Sequence, residues 1–352
     1  MFYVRKNQEK ERATGKTRVT KNAFVPKQFS AESGTQVKAL RNIFGNVWFL
    51  LALAIYGVSL AILWRNNSFA PGDAISLLVI FGIAFPLLAW ATTLRARPLT
   101  LTVHRRATEM WLLFACLIGV TLYLVWGPAL SEALVPASWL ASERGKFFVV
   151  LGRKLVVFVV IPFVVFRTVF GYGWRDFGLQ IAGLRALGGN HLPVVLALSI
   201  AILLFQFFVG NGAAPIRRGE FHASQLATGL PLCFAWLFFE AGLVEEFFFR
   251  ALLQTRLAAW FRSEVTGVTL MALLFGLAHA PGFILRHAGL EDAIGADPSP
   301  ADSMAYAIVV LSVAGILFGI VWARTKNLLA VMIIHAATDL LPNFAQFMKT
   351  WG

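Results

Sequence analysis

Two acidic residues stand side by side in FFEAGLVEEFFFRALLQ, residues 238–254: Glu245 and Glu246, with Arg250 four residues on and Phe, Leu and Val around them. A charge at the centre of a membrane helix costs roughly 2.5–3.5 kcal/mol on insertion scales, so such a cluster needs a reason to persist. Two further polar pairs follow at the same spacing: Phe275-x-x-x-His279 in LLFGLAHAPG and His335-x-x-x-Asp339 in VMIIHAATDLLP. Residues i and i+4 share a helix face. Glu246 can therefore pair with Arg250, and His335 and Asp339 point the same way. Glu245 lies about 100° round the helix from Glu246, free to face a partner on another helix. One carboxylate is then held ionised by Arg250 while its neighbour is left for general-base work.

A glutamate and a histidine together can activate water, and a second histidine with an acid can support a developing oxyanion. That chemistry suits hydrolysis of a peptide bond sequestered from bulk water. Taken singly, each group has a plainer explanation: Glu246–Arg250 as helix-packing glue, His279 beside Pro281 as an interfacial histidine, His335 with Asp339 as an interhelical hydrogen bond. Taken jointly, three helices carrying titratable groups in a charge-poor chain point to function. Zinc needs His and carboxylate ligands with one open position. Glu245, His279 and His335 would be that ligand set, yet no His-Glu-x-x-His occurs. No Gly-x-Ser-x-Gly is present either.

The elements that must carry these residues are membrane helices. The chain has 352 residues, 58% of them hydrophobic and 14% charged, against about 45–50% and about 25% in soluble domains. Apolar runs near the ~20 residues that span a bilayer fall at 43–64, 74–94, 110–126, 155–172, 192–209, 225–247, 264–280, 303–322 and 327–346. The fourth is short and broken by Pro162 and Arg167, and its flank 146–154 is expected along the interface. Period-2 alternation is absent, so the fold class is all-α: a polytopic transmembrane helical bundle of eight to nine spans.

The net charge of +13 would suit nucleic acid, but its distribution does not. Ten Lys or Arg fall in residues 1–42, and others gather in alternate links, among them Arg95, Arg97, Arg105 and Arg106, then Arg256 and Arg262, then Arg324 and Lys326. That is the positive-inside pattern, with the N-terminus cytoplasmic. Residues 1–42 are read as a basic cytoplasmic tail, touching anionic lipid through residues such as Arg5, Lys6 and Lys10. Residues 43–189 are N-terminal transmembrane helices of unassigned role, and 190–347 hold nearly all the intramembrane polarity. Cys116 and Cys233 each sit in an apolar run and are read as buried hydrophobes.

The three motifs EExxxR, FxxxH and HxxxD, in order on successive hydrophobic helices, resemble those of the CAAX protease and bacteriocin-processing (CPBP, or ABI) family of intramembrane endopeptidases. The matching positions are Glu245, Glu246, Arg250, Phe275, His279, His335 and Asp339. The resemblance covers about 190–347. It implies a glutamate-dependent, metal-free site: Glu245 polarises water with His279, His335 and Asp339 support the oxyanion, and Glu246 and Arg250 organise the site. The substrate implied is a membrane protein or lipidated peptide cut near its C-terminus or lipidated end, in a multi-pass protein of the bacterial inner membrane. Ala251 replaces the Gly that often follows the motif arginine. Asp339, as a carboxylate, cannot donate to an oxyanion, so it either carries a proton or orients His335. Glu240, outside the motif, is read as lining a cavity or facing a loop. Two other classes stay open: a non-enzymatic membrane scaffold or bacteriocin-immunity protein, and a proton-coupled transporter.

Overall fold

The computed structural model describes residues 41–65, 71–101, 103–179, 190–286 and 298–352. The N-terminal tail up to residue 40, Arg185 and most of the acidic link after Arg286 lie outside the described residues. Among those described there is no strand, and nine helices are long and apolar enough to cross a membrane. They are α1 (Val47–Arg65), α2 (Ile75–Arg95), α3 (Arg106–Leu134), α4 (Glu143–Phe170), α5 (His191–Phe208), α6 (Ala223–Phe261), α7 (Glu264–Arg286), α8 (Pro300–Thr325) and α9 (Leu328–Trp351).

The fourth span differs from expectation. Residues 146–154 are not an interfacial flank but the first half of α4. The hydroxyl of Ser142 caps the helix by accepting from the Gly145 N–H at 3.0 Å. The two cations of this stretch have partners inside the bundle: Arg153 donates to Gly127 O and Ser131 Oγ on α3, and Lys154 pairs with Glu240 on α6. Pro162 does not break the helix either, because a π-helical turn at Leu155–Val160 precedes it. Such a turn re-registers the backbone bonds where proline removes a donor.

The helices alternate in direction, and contacts between their ends define one face. Asn46 at the start of α1 donates to Thr266 near the start of α7, at 2.8 Å. Past the end of α2, the Arg97 carbonyl accepts from His191 Nε2 at the start of α5 (2.9 Å), and His191 Nδ1 accepts from Asn327 ahead of α9 (2.9 Å). Lys326, ending α8, pairs with Glu264 at 2.9 Å. The densest join on this face is Glu109 of α3, fully buried. Its Oε1 accepts from the His104 and Arg105 N–H groups and from Tyr172 O–H at 2.6 Å, and its Oε2 meets Arg256 of α6 at 3.1 Å. Burial holds the Tyr172 phenol well above its usual pKa, so it stays a donor.

α8 and α9 are the centre of the bundle: 61% and 56% of their most apolar stretches are buried, against 11–22% for α1 to α4. The N-terminal spans are thus the lipid-facing shell. Close approach at small residues sets the inner crossings. A Cβ on Gly242 of α6 would fall 2.8 Å from the Met332 carbonyl of α9, and one on Gly276 of α7 would fall 2.9 Å from the Ala307 carbonyl of α8. These two crossings lie within one turn of Glu245 and His279.

Removing one partner of a buried ion pair costs about 3–5 kcal/mol. Glu109→Ala is expected to lower the unfolding free energy of the detergent-solubilised protein by about that amount, whereas Tyr172→Phe, which removes one of several donors, should cost about 1–2 kcal/mol. Equal losses in the two variants would show that Glu109 is not the organising charge of this face.

Candidate active site

α6 is irregular where its charges lie. It runs α-helical from Ala223 to Leu237, widens into π-helical geometry over Phe238–Leu243 and again over Glu246–Gln254, then returns to α-helix from Thr255. Residues Glu246 through Gln254 are all buried. π-turns of this kind occur often at functional sites because they rotate a side chain off the α-helical register.

Glu246 is fully buried and serves two partners. Its Oε1 lies 2.5 Å from His335 Nδ1 on α9, and its Oε2 lies 3.1 Å from Arg250 Nε. The second contact is an ion pair without hydrogen-bond alignment, and among the described residues neither these two atoms nor the Arg250 Nη atoms have a hydrogen-bond partner. Rings surround the guanidinium instead: Phe275 at 4.4 Å, Phe318 at 5.2 Å and Phe249 at 5.9 Å from its central carbon. Cation–π attraction is strongest in such desolvated settings. One turn on, Gln254 donates to the Gly319 carbonyl at 2.9 Å and ties α6 to α8.

His335 is thus gripped on three sides. Nδ1 meets Glu246, Phe318 stacks flat on the ring at 4.6 Å and 7°, and Nε2 lies 3.4 Å from Asp339 Oδ2 and 3.8 Å from Glu245 Oε2. His279 is fixed from α7: its Nδ1 is 2.8 Å from the Phe275 carbonyl. A carbonyl only accepts, so Nδ1 carries the hydrogen and the neutral ring presents an Nε2 lone pair. That Nε2 is 3.9 Å from the same Glu245 Oε2. The Glu245 and His279 side chains retain 15% and 33% of their exposure, while Glu246 and Arg250 retain none. The arrangement has a dry organising layer beneath a more open layer of polar atoms.

All seven residues singled out from the sequence therefore converge on one locality built by α6, α7 and α9. Three neighbours were not singled out. Phe318 left no trace in the sequence, being one of 32 Phe in the chain and in none of the three motifs. Lys154 arrives from α4, far from the motifs. Glu240 was noted but left outside the motif; in a regular α-helix it would stand about 140° round from Glu245. The wide turn at Phe238–Leu243 closes part of that angle, and the Lys154 ammonium pairs with Glu240. Glu240 also lines a crevice of about 340 Å³ between α4, α6 and α9. No three His, Cys, Asp or Glu side chains meet the geometry of a metal site among the described residues.

Arg250→Met should strand the buried Glu246 charge and lower the unfolding free energy by about 3–5 kcal/mol. Adding Glu246→Gln should recover part of that loss, because neighbours in one ion pair couple strongly. Additive losses in chemical denaturation would mean that the two groups do not act as a pair.

Comparison with known families places the motifs. Residues 227–341 match the family model described as type II CAAX prenyl endopeptidase Rce1-like. The matched stretch, about a third of the 352 residues, contains every one of the seven motif positions. Comparison with curated proteins and with solved structures gave no match. With nine helices among the described residues long and apolar enough to cross a membrane, the chain is a multi-pass membrane protein whose residues 227–341 are similar to the Rce1-like CAAX prenyl endopeptidase family.

Proposed function

We propose that the protein hydrolyses a peptide bond of a membrane-associated substrate near its C-terminal or lipidated end, with Glu245 and His279 activating the water. The observation that carries this reading is the convergence on Glu245 Oε2: His279 Nε2 at 3.9 Å and His335 Nε2 at 3.8 Å. These separations exceed a hydrogen bond, so the three groups face a common point rather than satisfy one another.

The Glu245 carboxylate and the His279 Nε2 lone pair are both acceptors. A water between them donates one hydrogen to each and turns its own lone pair outward, to the scissile carbonyl carbon. As the C–O bond forms, Glu245 takes the proton and the carbonyl oxygen becomes an oxyanion. His335 gives one hydrogen to Glu246 from Nδ1. As an imidazolium it has a second hydrogen, on Nε2, for that oxyanion. Glu246 at 2.5 Å and Asp339 at 3.4 Å compensate the imidazolium charge. Asp339 thus acts by holding His335 charged and oriented, not by donating. Collapse of the tetrahedral intermediate breaks the C–N bond, and the proton held by Glu245 passes to the leaving amine. Arg250 and the Phe275 ring keep Glu246 in place throughout.

We assign no metal to this mechanism. The orientation we assign is N-terminus cytoplasmic, because the face where α2 and α8 end and α3 begins carries Arg95, Arg97, Arg105, Arg106, Arg324 and Lys326.

Membrane proteomes of wild-type and Glu245→Gln cells should differ by precursors that keep uncut C-termini, with the same precursors in His279→Ala. A binding or immunity function would instead survive both substitutions, and unchanged proteomes with an intact phenotype would sink the hydrolytic reading. In detergent, cleavage of an accumulating precursor should be unaffected by a strong zinc chelator; loss of activity restored by added zinc would replace the water-activation scheme with a metal one.

A further inference from the structure

The second wide stretch of α6 ends in a backbone gap that side chains fill. The Thr255 N–H bonds back to the carbonyls of Arg250 and Leu252 and passes over that of Ala251. Such a gap arises where five-back bonding gives way to the four-back bonding of the α-helix. A buried carbonyl left without a donor is costly, and Ala251 has no exposure. Its carbonyl accepts instead from Arg256 Nη1, at 2.7 Å. Beside it, the Thr255 hydroxyl donates to the Arg250 carbonyl at 3.1 Å, and Trp322 Nε1 of α8 donates to that hydroxyl at 3.1 Å.

Arg256 is held in this post from the N-terminal half of the chain. It is 2% exposed, and its Nε donates to Glu109 Oε2 of α3 at 3.1 Å. The rings of Phe166, Tyr172 and Phe177 lie 4.8, 5.5 and 5.5 Å from its central carbon. Glu109 is fixed in turn by the His104 and Arg105 N–H groups and by the Tyr172 O–H. A guanidinium is planar and rigid, so holding Nε also directs Nη1 toward one carbonyl. Every residue of this grip except Arg256 lies outside the family-matched stretch.

The place where the bonding changes sets the rotation of the residues before it. Glu246–Gln254 turn less per residue than α-helical ones, so sliding that place by one residue would rotate Glu246 about the axis of α6. Glu246 tolerates little rotation, because its Oε1 must stay 2.5 Å from His335 on another helix. We infer that Arg256 and Glu109 are positioning residues of the active site: they pin the end of the wide stretch, and with it the direction in which Glu246 meets His335. The inference rests on reading Glu246 as the group that orients His335. It gives α3 a part in a site built by α6, α7 and α9.

The test needs no turnover. Full-length protein in detergent is treated with dicyclohexylcarbodiimide, which modifies carboxyl groups in apolar surroundings, and modification of Glu246 is followed by peptide mass spectrometry. In the wild type, burial and its two partners should protect Glu246. Arg256→Met should raise the rate of its modification about tenfold or more, as loss of a hydrogen bond to a charged group implies. Glu109→Gln, a milder change that keeps the side-chain volume, should raise it in the same direction. Glu264→Ala is the control: it breaks a different ion pair of the same face, with Lys326, and should leave Glu246 protected. Protection of Glu246 in both Arg256→Met and Glu109→Gln, or an equal rise in Glu264→Ala, would overturn the assignment. Either result would leave the hydrolytic reading to the proteome comparison of the Glu245→Gln strain.

Discussion

A carboxylate with no exposure inside a membrane bundle survives only if both its oxygens are engaged, and Glu246 is that carboxylate. One oxygen faces Arg250 on its own helix and the other holds His335 on α9. The first contact sets the charge and the second sets the geometry. An isolated buried ion pair is poor evidence of stabilisation, since the desolvation of two charges rivals their attraction. Here the cost is spread, because the guanidinium rests among the rings of Phe249, Phe275 and Phe318. The same Phe318 stacks on His335, so one ring serves both the arginine and the imidazole. A fixed His335 leaves only Nε2 to face the more open layer, which is what gives Glu245 a neighbour of defined direction.

Much of this was legible in the sequence because it depended on local spacing. The nine spans follow from apolar length, and Glu246 with Arg250, Phe275 with His279 and His335 with Asp339 are each neighbours one helical turn apart. What was not legible depended on contacts between distant helices. The run 146–154 was expected along the interface, and the partners of its cations are remote: Gly127 and Ser131 lie about six to seven turns of helix earlier in sequence, and Glu240 is on another span. The expectation that Glu246 pairs with Arg250 was made from spacing alone. Nothing in that spacing says that its other oxygen reaches α9, eighty-nine residues later.

Backbone irregularity explains the remainder. Hydrophobic periodicity reads helices as if every turn held 3.6 residues, and α6 does not. Its two π-helical stretches flank Val244 and Glu245, so residues on either side of the glutamate pair are rotated relative to an ideal helix. Glu240 is the visible consequence, since it turns to Lys154 of α4 while Glu245, five residues on, faces His279 and His335.

The division of labour between the two halves of the bundle follows from burial. α8 and α9 are enclosed by protein, so the positions of His335 and Phe318 are fixed by packing that the outer spans share only indirectly. α4 stands among the least buried spans, yet it is the one whose cations turn inward to α3 and α6. A lipid-facing helix has no apolar reason to hold a given rotation, because lipid tails are as apolar as its own side chains. Inward hydrogen bonds from Arg153 and Lys154 supply that reason. They fix which face of α4 looks toward Glu240, and therefore which residues wall the space beside Glu245.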